Sequence, residues 1–293
     1  MCTLYILFGI ICLFLILFLF FRQKVDLFES NNKIALCFLI YEEIYHEELW
    51  YKWLNNIDKN KYNIYIHYKN NKPLKYFDKY KIKENIDTCW GCIGIVLAQN
   101  AILREALKDP DNQHFIWLSD SCIPFKNFNY VYNYLDVSKS YFNIAPDSQV
   151  FPRADAVLKY IKKNNIKKAA MPSIINKKHA KLFVDNDNNI KLWFKDIKIP
   201  DEIVYITLIY HNNLQNELIT TPNLAAGAII MSQWEDMSNY KNFSNSIKTK
   251  TTPYEYKYIC PEEVDYFINS NSLFGRKFIK NCTGLDYLEK QII

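Results

Sequence analysis

Two unbroken apolar runs constrain this chain more than any other feature. Residues Lys33 to Tyr41 and His114 to Leu118 carry no alternation of apolar with polar side chains. A strand with one wet face alternates; a run apolar throughout must be covered on both faces and sits centrally in a sheet. Tyr62 to His67 reads as a third strand and Ser140 to Ile144 as a fourth. Between them Tyr45 to Asn56, Ile93 to Leu107 and Phe128 to Leu135 show helical spacing, and Asp109-Pro110 follows the second of these as a stop. Further helices are expected near Asp155–Lys163, Lys177–Val184, Asp201–Ile209 and Pro261–Asn269. Strands alternating with helices predict an α/β sandwich around a mostly parallel central sheet. With 293 residues, 49% hydrophobic and 23% charged, the chain has material for a sizeable core and is not a disordered one. No repeat or long linker divides it, so residues 33–293 read as one globular domain.

Composition excludes several functions. Gly numbers only 6, and neither the dinucleotide fingerprint nor the phosphate-binding loop pattern occurs. The net charge of +5 is spread along the chain without a basic block, so no nucleic-acid partner is expected.

The N-terminus is of another kind. Leu4 to Phe21 holds no charge and is mostly Leu, Ile and Phe, close to the ~20 residues that cross a bilayer as a helix. A cleaved signal peptide would have a charged start, a shorter core and a small-residue cleavage site. Here the run is long and bulky and ends in Arg22-Gln23-Lys24, so residues 1–24 read as an uncleaved anchor, with a lipid bilayer as partner through residues 4–21, and residues 25–32 as a short stem. Arg22 and Lys24 follow the span, which by the charge rule favours a cytosolic body. Of the eight cysteines, Cys89 and Cys92 have C-x-x-C spacing, but no second ligand pair stands where zinc would need it. Burial or a disulfide is the preferred reading for the body cysteines. Asn242 and Asn281 open glycosylation sequons.

In an open α/β sheet, ligands bind beyond the carboxyl ends of the strands. This selects His67-Tyr68-Lys69 after the second strand and Ser119-Asp120-Ser121-Cys122 after the third. Asp185-Asn186-Asp187 has metal-motif spacing but lies in a polar stretch at a helix end and reads as a turn.

From Ala106 through "LSDSCIPF" to Leu135 the chain closely resembles a block of the core-2/I-branching glycosyltransferase family, above all its plant-type branch, which carries "LSESCIP" and then "NF…VYNYL". The likeness continues in order. Trp90-Gly91 is similar to that branch's W-G, Ser173 to Ala180 to its "WF.LNR.HA", and Pro200-Asp201-Glu202 to its "PDE". Lys257 to Cys260, followed by Leu273 to Phe278, is similar to its "R-x-[IV]-C…LFA-x-KF". The resemblance implies a GT-A-like fold, a UDP-sugar donor, a glycan or glycoprotein acceptor, inversion at the anomeric carbon and catalysis without a divalent metal or other cofactor. It places Glu202 as catalytic base, and Lys257 and Lys277 as the cations that hold the diphosphate, with Arg276 an additional charge nearby. Asp120 and His67 fall on the donor side, Trp234 and Arg153 on the acceptor side. It also implies a type II membrane protein with a lumenal catalytic domain, against the charge rule.

Each assignment has a plainer rival. An acid after Pro at a helix start caps that helix, which is the reading preferred for Asp201. A lone Lys is a solvated charge, Asp120 accepts turn N–H bonds, and Trp234 packs in a core. Two departures stand out: Lys69 replaces the Asp that the animal enzymes carry after the second strand, and Phe151 to Met171 keeps only Arg153 of the acceptor-side basic motif. The sequence therefore predicts a membrane-anchored, metal-independent inverting transferase, with N-acetylglucosamine as the first choice of sugar. Xylosyl- or glucuronosyl-transfer on the same fold, and an inactive carbohydrate-binding protein, are the alternatives.

Overall fold

The computed structural model describes residues 32–222, 228–233 and 253–293. Lys33–Ile293 forms one folded unit. The apolar run Leu4–Phe21 lies outside the described residues. Among those described, no helix is long and apolar enough to cross a membrane.

In chain order the principal elements are β1 (Lys33–Ile40), α1 (Glu47–Leu54), β2 (Tyr62–Tyr68), α2 (Gly94–Ala106), β3 (Asn112–Ser119), β4 (Ile123–Pro124), α3 (Phe128–Tyr134), β5 (Ser140–Ile144), β6 (Ala169–Asn176), α4 (Lys177–Asp185), α5 (Asp187–Trp193), α6 (Val204–His211), β7 (Leu218–Pro222), β8 (Ile230–Ser232), β9 (Tyr256–Tyr258), α7 (Pro261–Asn269), β10 (Phe274–Arg276), β11 (Phe278–Thr283) and α8 (Leu285–Ile292). The main sheet has the order β2-β1-β3-β6-β5-β7. β1 pairs in parallel with both β2 and β3, and β5 with β7, whereas β6 is antiparallel to both its neighbours. Five of the six strands therefore run in one direction and β6 alone is reversed, so the sheet is mostly parallel as expected, with one antiparallel strand in its second half. Ile144 at the end of β5 pairs Ala169 at the start of β6. The segment between them leaves and re-enters at one end of the sheet, so no crossover helix is needed and the return is antiparallel. The helix expected at Asp155–Lys163 is correspondingly only a 3₁₀ turn over Asp155–Lys159.

β1 is apolar throughout because both its faces are covered. Leu36 and Phe38 join one core with Trp50, Trp53, Phe125, Phe267, Phe274 and Phe278. Ala35 and Cys37 join the other with Trp117, Phe183, Tyr205 and Ile206. Each fully buried large side chain contributes roughly 1.5–3 kcal/mol.

Two tryptophans of α1 connect the core to the carboxyl end of β3. The Trp50 indole N–H donates to the Cys122 carbonyl at 3.0 Å, and that of Trp53 to the Lys126 carbonyl at 2.8 Å. They fix the turn after β3. β4 then pairs antiparallel with β10, Gly275 against Ile123, and the Phe278 N–H donates to the Ser121 carbonyl at 3.0 Å. In this way two segments about 150 residues apart in sequence, Asp120-Ser121 and Arg276-Lys277, meet at one end of the sheet. Gly275 permits this: a Cβ there would lie 2.0 Å from the Phe125 ring. The family pattern has Ala at this place, and the Phe125 ring beneath β10 accounts for the glycine here.

Candidate active site

Beyond the carboxyl end of β3 opens a cleft of about 480 Å³, lined by Glu43, Tyr45, Asp120, Glu255, Arg276 and Lys277 among others. Lys280 also faces it, but its ammonium pairs with Glu43 at 2.8 Å. Among the described residues, Arg276 and Lys277 form no such ion pair. Arg276 Nε is buried without a hydrogen-bond partner, an uncommon state for a guanidinium N–H. Burial lowers the Lys277 ammonium from its ordinary range, and repulsion by Arg276 adds to this. Burial raises the Asp120 carboxyl, against the pull of Arg276 and Lys277. This end of the cleft thus holds desolvated cations facing a carboxylate that does not pair with them.

A second cleft, of about 760 Å³, is lined by Trp90, Gly91, Pro152, Arg153, Asp196, Lys198 and Ile199. The turn Pro200–Glu202 follows Ile199 of this second cleft. Its carboxylate Glu202 Oε2 accepts from Arg153 Nη1 at 2.8 Å and lies 3.5 Å from Lys168 Nζ. Both cations engage the same oxygen. The turn is held from behind by the Ile199 N–H, which donates to the Gly91 carbonyl at 2.9 Å. Gly91 has φ +71° and Ile199 φ +56°. The first is natural for glycine; the second is an outlier for a β-branched residue.

Asp201 does not cap a helix, which corrects the expectation for it. Ile203 occupies the N-cap of α6 and makes no side-chain cap bond. Asp201 Oδ1 is instead buried with no partner. Burial raises its carboxyl to about 6, the Glu202 charge adds to this, and Arg276 and Arg153 draw it down. Cations of both clefts therefore act on this one turn.

The residues selected from sequence divide as follows. Asp120 and Lys277 line the first cleft, and Arg153 lines the second beside Glu202. Lys257 lines neither: it is exposed, as is Tyr258 after it, and only Tyr256 of this strand is buried. His67 is buried at the end of β2, where its Nε2 accepts from the Ile86 N–H at 2.9 Å, and it lines neither cleft. Trp234 lies outside the described residues. Glu43 and Glu255 entered no sequence pattern, and Tyr45 entered only as the start of a helix that in fact begins at Glu47; loops bring all three to the first cleft. Cys89 and Cys92 form a disulfide around Trp90-Gly91. Asp187 of the Asp185–Asp187 stretch pairs with Arg104 at 3.0 Å and Lys191 at 3.3 Å. A Ser140–His179–Glu217 chain resembles a hydrolytic triad in order only, for Ser140 and His179 are fully buried and border neither cleft.

Known proteins resemble this chain in sequence. The pattern of the core-2/I-branching enzyme family matches residues 34–265. Glycosyltransferase BC10 of Oryza sativa subsp. japonica is 23% identical over 232 residues, which cover 67% of this chain and 57% of that protein. The chain thus spans little more than half the length of that relative. Among solved structures, an active-site mutant of LgtC superposes with a TM-score of 0.40 at 9% identity, over 83% of this chain and 86% of that one. With the family match running from β1 into α7, the chain belongs to the core-2/I-branching enzyme family of glycosyltransferases.

Proposed function

We propose that this chain is an inverting, GT-A-like glycosyltransferase that uses a UDP-sugar, UDP-N-acetylglucosamine first, and needs no divalent metal. The observation that carries this reading is the pair Arg276 and Lys277, unpaired and half-buried in one cleft, with the Arg276 Nε lacking a partner. A diphosphate supplies the anionic oxygens that such groups lack. The glycan hydroxyl attacks the anomeric carbon as Glu202 takes its proton. The bond from that carbon to the diphosphate oxygen breaks, and the charge that develops there falls to Arg276 and Lys277. Arg276 takes the part that the family resemblance gave to Lys257. Arg153 orients the base through Oε2. Leu4–Phe21 serves as the bilayer anchor, with the catalytic unit on the lumenal side.

The test is hydrolysis of a panel of UDP-sugars by the full-length protein, with and without EDTA. Hydrolysis of one donor, unchanged by EDTA, is expected. Activity that EDTA abolishes and manganese restores refutes the metal-independent mechanism. Failure to hydrolyse any UDP-sugar refutes the transferase reading.

A further inference from the structure

Trp90 is 87% exposed, more than any other large apolar side chain among the described residues. Its backbone, in contrast, is held at three points. The Cys89–Cys92 disulfide closes the loop around it. Gly91 takes the left-handed conformation that turns the chain, and the Gly91 carbonyl accepts the Ile199 N–H at 2.9 Å. The ring itself stacks on no other described aromatic. An indole with a rigid base and a bare face is preorganised, so little ordering entropy is lost when a ligand covers it.

The surroundings specify the ligand. Trp90 lines the second cleft with the apolar Pro152 and Ile199, while Arg153, Asp196 and Lys198 supply polar groups. Arg153 is already engaged by Glu202, and Asp196 balances Lys198 in sign. The cleft has no unmet charge of the kind found around Arg276 and Lys277. An apolar floor with a few polar groups at its edge suits a neutral, hydroxylated ligand. A pyranose has one face of C–H bonds for the indole and an equatorial edge of hydroxyls for the polar rim.

We propose that Trp90 is the stacking platform for a neutral pyranose ring of the acceptor, and that Arg153 and Lys198 bind its hydroxyls while Glu202 stands over the one that reacts. This rests on the transferase reading for its purpose, but saccharide binding at Trp90 is measurable without turnover.

The full chain and its Trp90→Ala and Trp90→Phe variants are titrated with methyl β-galactoside, methyl β-glucoside and methyl β-xyloside, with binding followed by saturation-transfer NMR. At least one glycoside is expected to bind the parent. Trp90→Ala should weaken it about tenfold, and Trp90→Phe, which keeps a smaller face, about two- to threefold. Because the ring is exposed, the melting temperature of both variants should lie within about 2 °C of the parent. No binding of any glycoside to the parent, or equal binding by parent and Trp90→Ala, overturns the proposal. UDP-sugar hydrolysis is measured on the same parent preparation. Its absence alongside Trp90-dependent glycoside binding refutes the transferase reading and leaves the platform standing.

Discussion

Removing the cations of the first cleft separates the structure from the sequence resemblance, because the two choose different residues. The family pattern selects Lys257 and Lys277; the structure brings together Arg276 and Lys277. A charge-assisted hydrogen bond to a desolvated anion is worth about 1.5–3 kcal/mol. Arg276→Ala or Lys277→Ala should therefore weaken UDP binding by about 10- to 150-fold, at 1.4 kcal/mol per factor of ten. Lys277→Ala belongs near the upper end. Glu255 and Asp120 now offset its charge, and its loss leaves them facing the diphosphate with less compensation. Lys257 is exposed, and a surface change of this kind stays within about 0.5 kcal/mol, or roughly twofold. Binding is measured by calorimetry with UDP at two salt concentrations. The half-buried pair should retain much of its effect at the higher salt, where exposed charges are screened. Burial lowers the Lys277 ammonium from 10.5, so it loses its proton earlier than a solvated lysine as pH rises. UDP affinity should decline correspondingly early on the alkaline side, and Lys277→Arg should remove that decline. A Lys257→Ala variant as weak as Lys277→Ala, or an Arg276→Ala variant within twofold of the parent, refutes the assignment.

Three further outcomes are predicted. Glu202→Gln should lower transfer by about 10²–10⁴-fold with UDP affinity near normal; steady-state transfer against UDP calorimetry checks this, and near-normal transfer removes Glu202 as the base. Asp201→Asn should raise the melting temperature at pH 7.5. Its carboxyl is raised from 3.8 to about 6, so the folded state holds that proton more tightly than the unfolded one, and the associated stability, full below 3.8, is lost as pH rises through 6. The variant's advantage should close by pH 4 in a melting series, and a lower melting point at pH 7.5 contradicts the burial argument. Gly275→Ala should destabilise by about 1–3 kcal/mol through overpacking, since the new methyl would lie 2.0 Å from the Phe125 ring, and should weaken UDP binding by displacing Arg276; denaturant titration showing no loss of stability refutes the first part.

What the sequence disclosed follows from which forces act locally. β1 and β3 were readable because burial on both faces leaves an unbroken apolar run, and α7 because Pro261 and Glu263 mark its start. The direction of β6 was not readable. It depends on which end of the sheet the chain re-enters, and periodicity carries no record of that. The fate of Lys257 was equally hidden, since β9 has only three residues and so short a strand has no pattern to show which side chains face out. In the site, Asp120, Glu202, Lys277 and Arg153 were reached through ordered motifs. Arg276 appeared only as a neighbouring charge. Tyr45 and Glu255 come from loops whose placement depends on the packing of α1 and on the pairing of β9 with β11 rather than on any local signal. Trp90 was visible as half of a W-G pair, but its exposure is a tertiary property.

The backbone before the proposed base explains why the chain keeps Trp90-Gly91 and Pro200–Glu202 together. Ile199 is disfavoured at φ +56° on two counts. It is β-branched, and it precedes a proline, which pushes its neighbour toward extended conformations. A residue held in this way costs of order 1–3 kcal/mol and persists only where its surroundings over-determine it. Those surroundings are Gly91, whose carbonyl accepts the Ile199 N–H and whose missing side chain leaves room for Ile199, since a Cβ on Gly91 would lie 3.3 Å from Ile199 Cγ1. Relaxing Ile199 to an extended conformation would swing Pro200–Glu202 out of line. Glu202 would then leave Arg153, and Asp201 would leave the field of Arg276 and Arg153. The strain therefore fixes one short turn whose Glu202 meets Arg153 and whose Asp201 feels Arg276, the fixed placement that the proposed displacement would require of its base and its cations.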